Sequence, residues 1–111
     1  VIVLNNGKNV YPEEIESLIN ESEYIKESLV YGKNVKNDIV LTVQVLPNKE
    51  YIETVFPDGK SDDEIKSIIW DEIKKVNDKL VIYKHIKGVE IRDKEFEKTT
   101  TLKIKRYKEI G

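Results

Sequence analysis

The chain has 111 residues, 19 Lys+Arg against 21 Asp+Glu, one His, and neither Cys nor Met. That length suits one domain burying about two-thirds of its unfolded surface, and 39% hydrophobic with 36% charged residues supports one modest core under a solvated exterior. The absence of Cys excludes a disulfide framework, a thiolate zinc cluster and a cysteine nucleophile, while no window approaches the ~20 apolar residues of a membrane span and no signal peptide opens the chain.

In chain order, Val1-Ile2-Val3-Leu4, then Asn5-Asn6-Gly7-Lys8, then Asn9-Val10-Tyr11 read as a short hairpin, Asn-Gly being suited to the positive φ angles of its turn. Pro12 fits the first position of a helix, with Glu13 and Glu14 at its positive end. Ile15, Leu18 and Ile19 share a face of that helix, which is expected to end near Ser22. Ser28 to Gly32 and Ile39 to Leu46 read as strands. In the second, Ile39, Leu41, Val43 and Val45 take one face, Thr42 and Gln44 the other. Residues 47–60, with Pro47, Pro57 and Gly59, form the least regular stretch. Ser61-Asp62-Asp63-Glu64 is a capping box, and Ile65, Ile68, Ile69, Ile73 and Val76 make the buried stripe of a helix to about Lys79. Ile86 to Arg92 and Thr101 to Arg106 are the remaining strands. The sum is an α+β domain, a small mixed sheet with two helices on one face and an N-terminal hairpin. Ile15, Leu18, Ile19, Leu41, Val43, Ile65, Ile69 and Ile73 are its expected buried residues.

Several apparent motifs reduce to local structure. Gly59-Lys60-Ser61 imitates the end of a phosphate-binding loop, but Thr54 stands where the first glycine belongs and three aspartates crowd the site. His85 has no acid, Cys or second His near it in sequence and reads as a surface or half-buried histidine. Glu13-Glu14 and Asp62-Asp63-Glu64 sit where helices favour acids, so no metal site is assigned.

Charge is unevenly spread. Residues 84–111 hold nine basic and five acidic residues, the remainder ten and sixteen. Lys98 to Lys108 has five cations and no acid. From charge alone, one reading is a stand-alone small α+β module that binds nucleic acid through this tail or serves protein interaction. Tyr107 is its only aromatic residue for base stacking, and the whole chain carries a net charge of −2.

Two segments carry more. Asn5 to Glu16 is a glycine loop ahead of a capped helix, and Gly7, lacking a side chain, can approach a ligand closely. Glu97 to Arg106 is a threonine-rich approach to a strand, Leu102 and Ile104 pointing one way and Lys103 and Lys105 the other. Together they resemble the C-terminal domain of AMP-forming acyl-CoA synthetases. That family's hairpin motif ends in a glycine loop and Pro-x-Glu-Ile-Glu, here Pro12, Glu13, Glu14, Ile15 and Glu16. Its terminal motif, Pro-Lys-Thr-x-x-Gly-Lys-Ile-x-Arg, falls on Glu97 to Arg106, with Glu97 in place of proline and Leu102 in place of the glycine. The wording of the first motif is most similar to the long-chain fatty-acid–CoA ligase branch.

The resemblance implies an enzyme that makes an acyl-adenylate from a fatty acid and ATP with Mg²⁺, then passes the acyl group to coenzyme A. It makes Lys103 the adenylation lysine, Asn6, Gly7 and Lys8 the loop that meets coenzyme A, and Arg106 and Glu14 supporting residues. It implies that 1–111 is one mobile C-terminal subdomain, cut just after a hinge, inactive alone and with no cofactor of its own bound. Its partner is the N-terminal adenylation domain, not nucleic acid. The expected location is cytoplasmic, with room for peripheral membrane association of the full enzyme. An opening on Val1, without an initiator methionine, agrees with a piece of a longer protein.

Overall fold

The computed structural model describes residues 1–98 and Ile104. Strands β1 (Ile2–Val3) and β2 (Asn9–Val10) form the N-terminal hairpin, Ile2 opposite Val10 and Val3 opposite Asn9. Helix α1 (Pro12–Ile19) begins on its proline, with Glu13 and Glu14 in the first turn. It stops at Asn20 rather than near Ser22, because the Asn20 Oδ1 accepts from Ser28 Oγ at 2.7 Å as the chain reverses into the sheet.

Strands β3 (Ile25–Val35) and β4 (Asp38–Pro47) pair antiparallel, from Val35 opposite Asp38 to Ile25 opposite Pro47. Lys36 and Asn37 join them with φ of 51° and 66°, the paired positive angles of a type I′ turn. This turn holds the exposed Lys33 to Val35 in register, so β3 runs past the expected 28–32. Residues 47–60, expected to be irregular, contain helix α2 (Lys49–Val55), capped by Asn48 Oδ1, which accepts from the Tyr51 N–H at 3.1 Å. A seven-residue helix with Ile52 as its buried anchor leaves little periodicity to read. Helix α3 (Asp62–Asn77) starts on the expected capping box. Ser61 Oγ accepts from the Glu64 N–H at 3.2 Å, and Glu64 Oε1 accepts from the Ser61 N–H at 3.0 Å. A short 3-10 turn at Ile82–Lys84 leads to β5 (Gly88–Ile91), which pairs parallel with β4. The mixed sheet runs β3-β4-β5. The expected strand Thr101 to Arg106 lies outside the described residues except for Ile104, which makes an antiparallel bridge with Lys98. No helix among the described residues is long and apolar enough to cross a membrane.

Helices α1 and α3 cover one face of this sheet. Ile15, Ile19, Ile69 and Ile73 pack there with Val30, Leu41, Val43 and Val45. Leu18 and Ile65, expected to be buried, are half-buried at the rim. Glu16 is buried on the same side, its Oε2 accepting from the Val30 N–H at 2.7 Å, so a carboxylate satisfies a backbone donor of the edge strand.

The opposite face, where Thr42 and Gln44 lie as expected, is covered in part as well. Leu46 is 6% exposed, because the chain after β5 returns across the sheet and closes a second cluster of Leu29, Leu46, Phe96 and Ile104; Thr42, flanked by Tyr31 and Gly88 in the sheet, is 2% exposed. The Arg92 guanidinium lies 4.0 Å from the centre of the Phe96 ring, and its Nη1 donates to Gln44 Oε1 at 3.2 Å.

Beside this cluster Glu90 ties the two edge strands together across the far face, accepting from Tyr31 Oη at 2.6 Å and Lys33 Nζ at 2.7 Å. Burial, with the Glu90 hydrogen bond behind it, pushes the Tyr31 hydroxyl up to about 12, so it remains a donor at neutral pH. Burial alone would raise Glu90, but hydrogen bonds from Lys33 and Tyr31 outweigh it and hold the carboxyl below the usual 4.5. A depressed folded value means that this contribution is present above the unfolded carboxylate range and is lost as pH falls through the folded value. Urea unfolding of the native chain is expected to lose stability between about pH 5 and pH 3 more steeply than that of Glu90→Gln. Parallel slopes would show that the carboxyl gains nothing from folding.

Candidate functional site

The hairpin loop is built to project. The Leu4 C=O accepts from the Gly7 N–H at 2.9 Å, and the Leu4 N–H donates to the Lys8 C=O at 2.9 Å. Gly7 takes φ +81°, while Asn6, expected to share the positive region, does not. The loop is therefore a three-residue connection closed by one left-handed glycine. Asn6 Oδ1 instead accepts from the Lys8 N–H at 3.0 Å. A Cβ built on Gly7 meets nothing within 4 Å, so the need for glycine lies in the backbone angle, not in crowding.

Three contacts fix the hairpin on the domain. Asn5 Nδ2 donates to the Asn37 C=O at 3.1 Å, tying the loop to the β3–β4 turn. A Cβ on Gly32 would come within 2.7 Å of Ile39 Cγ2 and 3.0 Å of Ile2 Cγ2, so that glycine admits β1 onto the sheet. The Lys8 ammonium stands 5.3 Å from the centre of the Tyr83 ring, a cation–π contact. Between loop and sheet lies a cleft of about 250 Å³, bordered by Asn5, Asn6, Asp38, Tyr83, His85 and Lys87. Asn6, Gly7 and Lys8 thus lie together on one projecting loop held by these contacts. Glu14 is exposed in the first turn of α1, where it complements the helix dipole.

Ile104, within the second motif, packs elsewhere. Ile2, Leu4 and Val10 of the hairpin pack with the helix-side core, whereas Ile104 packs with the cluster on the opposite face. Lys103 and Arg106 lie outside the described residues. Glu97 is exposed and Phe96 is 4% exposed beneath the crossing segment. His85 is half-buried, its Nε2 2.9 Å from the Leu80 carbonyl oxygen, and so plays a structural part. Among the described residues no group of three or more His, Asp or Glu side chains is placed to hold a metal ion.

Sequence reasoning placed Asn5 in the hairpin loop without a contact of its own, and did not pick out Tyr83 or Phe96. Only Phe96 carried a signal, as a lone aromatic residue in a charged stretch.

Known proteins share this fold. The chain matches a long-chain-fatty-acid–[acyl-carrier-protein] ligase of the Arabidopsis thaliana chloroplast at 35% identity over 74 residues, 67% of this chain and 10% of that protein. The fold superposes on a benzoate CoA ligase from Burkholderia xenovorans with TM-score 0.69 and 23% identity, covering 91% of this chain and 18% of that one. It superposes on the adenylation domain of a carboxylate reductase from Mycobacterium chelonae with TM-score 0.76 and 21% identity, over 97% of this chain and 17% of that one. The chain therefore spans a fifth or less of each. The AMP-binding enzyme C-terminal domain profile matches residues 1–110, practically the whole fold described above, and the chain belongs to that family.

Proposed function

We propose that this chain is the mobile C-terminal subdomain of an ATP-dependent, AMP-forming fatty-acid–CoA ligase, working in the cytoplasm beside an N-terminal adenylation domain. Family membership supports the reaction class, and the Arabidopsis relative, named for long-chain fatty acids, supports the substrate class. The observation that carries the reading is the separation of the two motifs. The hairpin is seated on the helix side of the sheet and Ile104, within the second motif, on its far face, as a domain needs if it presents a different surface to each half-reaction.

In the first half-reaction a carboxylate oxygen of the fatty acid bonds to the α-phosphorus of ATP and pyrophosphate leaves. Mg²⁺, when bound with ATP, offsets phosphate charge. From this chain, the Lys103 ammonium supplies positive charge where negative charge builds at the phosphorus. In the second, the thiol of coenzyme A adds to the acyl carbonyl, AMP departs, and the Asn6-Gly7-Lys8 loop lines the approach of the thiol.

The test separates the halves in the full-length ligase: fatty-acid-dependent ATP–pyrophosphate exchange, and thioester formation from supplied acyl-adenylate. Because a side chain at φ +81° is strained, Gly7→Leu is expected to slow thioester formation at least about tenfold and leave exchange intact. Acyl-carrier protein is offered beside coenzyme A, since the Arabidopsis relative is named for that acceptor. Equal losses in both halves would make the loop merely structural, and no exchange with any fatty acid would defeat the proposal.

A further inference from the structure

Glu27 lies just after an irregularity in β3, where the pairing with β4 shifts between Ile25 and Glu27. Its side chain is 13% exposed, and Oε2 accepts from Lys98 Nζ at 2.7 Å, that lysine being 31% exposed. Oε1 is buried and has no hydrogen-bond partner among the described residues. The adjacent pair, Lys26 with Glu95 at 2.9 Å, is 54% and 63% exposed. The two pairs join the same strand to the same crossing segment, but they differ physically. An exposed pair contributes little, whereas removing one partner of a pair drawn out of water strands the other charge. With one oxygen unmet, the Glu27 carboxylate depends on the Lys98 ammonium to offset its burial.

Lys98 also bridges Ile104 through the backbone, and Ile104 packs with Leu29, Leu46 and Phe96. The lysine held by Glu27 and the residue that follows Lys103 are thus paired neighbours on one face of the sheet.

We propose that Glu27 is the positioning residue for the adenylation lysine. By fixing Lys98 it fixes the bridge to Ile104, the residue next to Lys103 in the chain; Glu27 itself touches no substrate. This rests on Lys103 acting as the adenylation lysine.

The experiment uses the full-length ligase and compares Glu27→Gln, Lys98→Met, the swapped pair Glu27→Lys with Lys98→Glu, Glu95→Gln and Lys103→Ala in the two half-reactions. A misplacement of about 1 Å can cost about 10²-fold in rate. That loss is expected for Glu27→Gln in pyrophosphate exchange, with thioester formation from acyl-adenylate unchanged and serving as the measure of an intact fold. Lys98→Met should match it, the swapped pair should recover part of the exchange, and Glu95→Gln should change it less than about fivefold, the worth of an exposed pair. Equal losses in both halves would show packing rather than positioning and overturn the inference. A swapped pair that makes thioester normally yet recovers no exchange would also overturn it. Full exchange in Glu27→Gln while Lys103→Ala is crippled overturns Glu27 alone. Full exchange in Lys103→Ala overturns the reading beneath it, and the assignment of Glu27 falls with it.

Discussion

Replacing Ile69 by alanine is expected to cost about 2–5 kcal/mol of folding stability. Ile69 sits in the middle of α3 at 0% exposure, as does Ile73 one turn later, and both pack with Ile15, Ile19, Val43 and Val45. Alanine leaves a void walled by two helices and a sheet, none of which can collapse inward without breaking another contact. Domains are stable by only about 5–15 kcal/mol in total, so the loss should lower the melting temperature by roughly 10 °C or more. Ile82 is the control: it is chemically identical and 81% exposed, so Ile82→Ala should stay within about 0.5 kcal/mol. Calorimetry or urea unfolding of the two variants decides the matter. Similar losses in both would mean that burial of this stripe does not hold the domain together.

The same stripe explains why so much of the fold was legible. Ile65, Ile69, Ile73 and Val76 recur at helical spacing behind a reciprocal cap, and a pattern and a punctuation mark that agree leave few alternatives. Pro12 with two acids marked the start of α1 in the same way. What stayed hidden depended on contacts distant in sequence. Helix α2 has a single buried anchor, Ile52. The burial of Leu46 follows from a segment fifty residues further on, which returns with Phe96 to cover the sheet. Local alternation in β4 carries no trace of that cover, since polar residues at alternate positions look the same whether water or chain lies over them.

The candidate site divides along similar lines. Asn6, Gly7 and Lys8 are contiguous, and a glycine between asparagine and lysine announces a turn. The turn type could not be read, because both hairpin geometries use a positive-φ glycine and differ in what the preceding residue does. Here Asn6 spends its side chain on the Lys8 N–H and leaves the positive angle to Gly7. Glu27 was invisible to motif reasoning altogether. Its interest comes from burial and from Lys98, 2.7 Å away in space and far along the chain. The family resemblance of the two motifs led to the family to which the chain belongs, although neither motif alone would have done so.

Lys103→Ala is expected to cripple acyl-adenylate formation, by about 10²–10³-fold or some 3–4 kcal/mol, the usual loss when one donor to transition-state charge is removed. The tail offers several lysines, so charge by itself does not choose among them. Lys98 is engaged with Glu27 and is thereby committed to holding the segment in place. Lys105 follows Lys103 by two residues and is the natural control, alike in charge and sequence surroundings. Lys103 alone takes the family's position, immediately before Ile104 and three residues before Arg106, and Ile104 is anchored in the far-face cluster. In the proposed mechanism the Lys103 ammonium acts at the α-phosphate and the hairpin loop, on the other side of the sheet from Ile104, acts with coenzyme A. The loss should therefore fall on pyrophosphate exchange and spare thioester formation from supplied acyl-adenylate, the inverse of the Gly7→Leu result. Lys103→Arg should rescue poorly, because a planar guanidinium does not reproduce the reach of a compact charge on a four-carbon stem. Paired measurements on Lys103→Ala and Lys105→Ala settle the assignment: if Lys105→Ala loses exchange, or if Lys103→Ala loses none, the catalytic lysine has been misplaced by one turn of the sequence pattern.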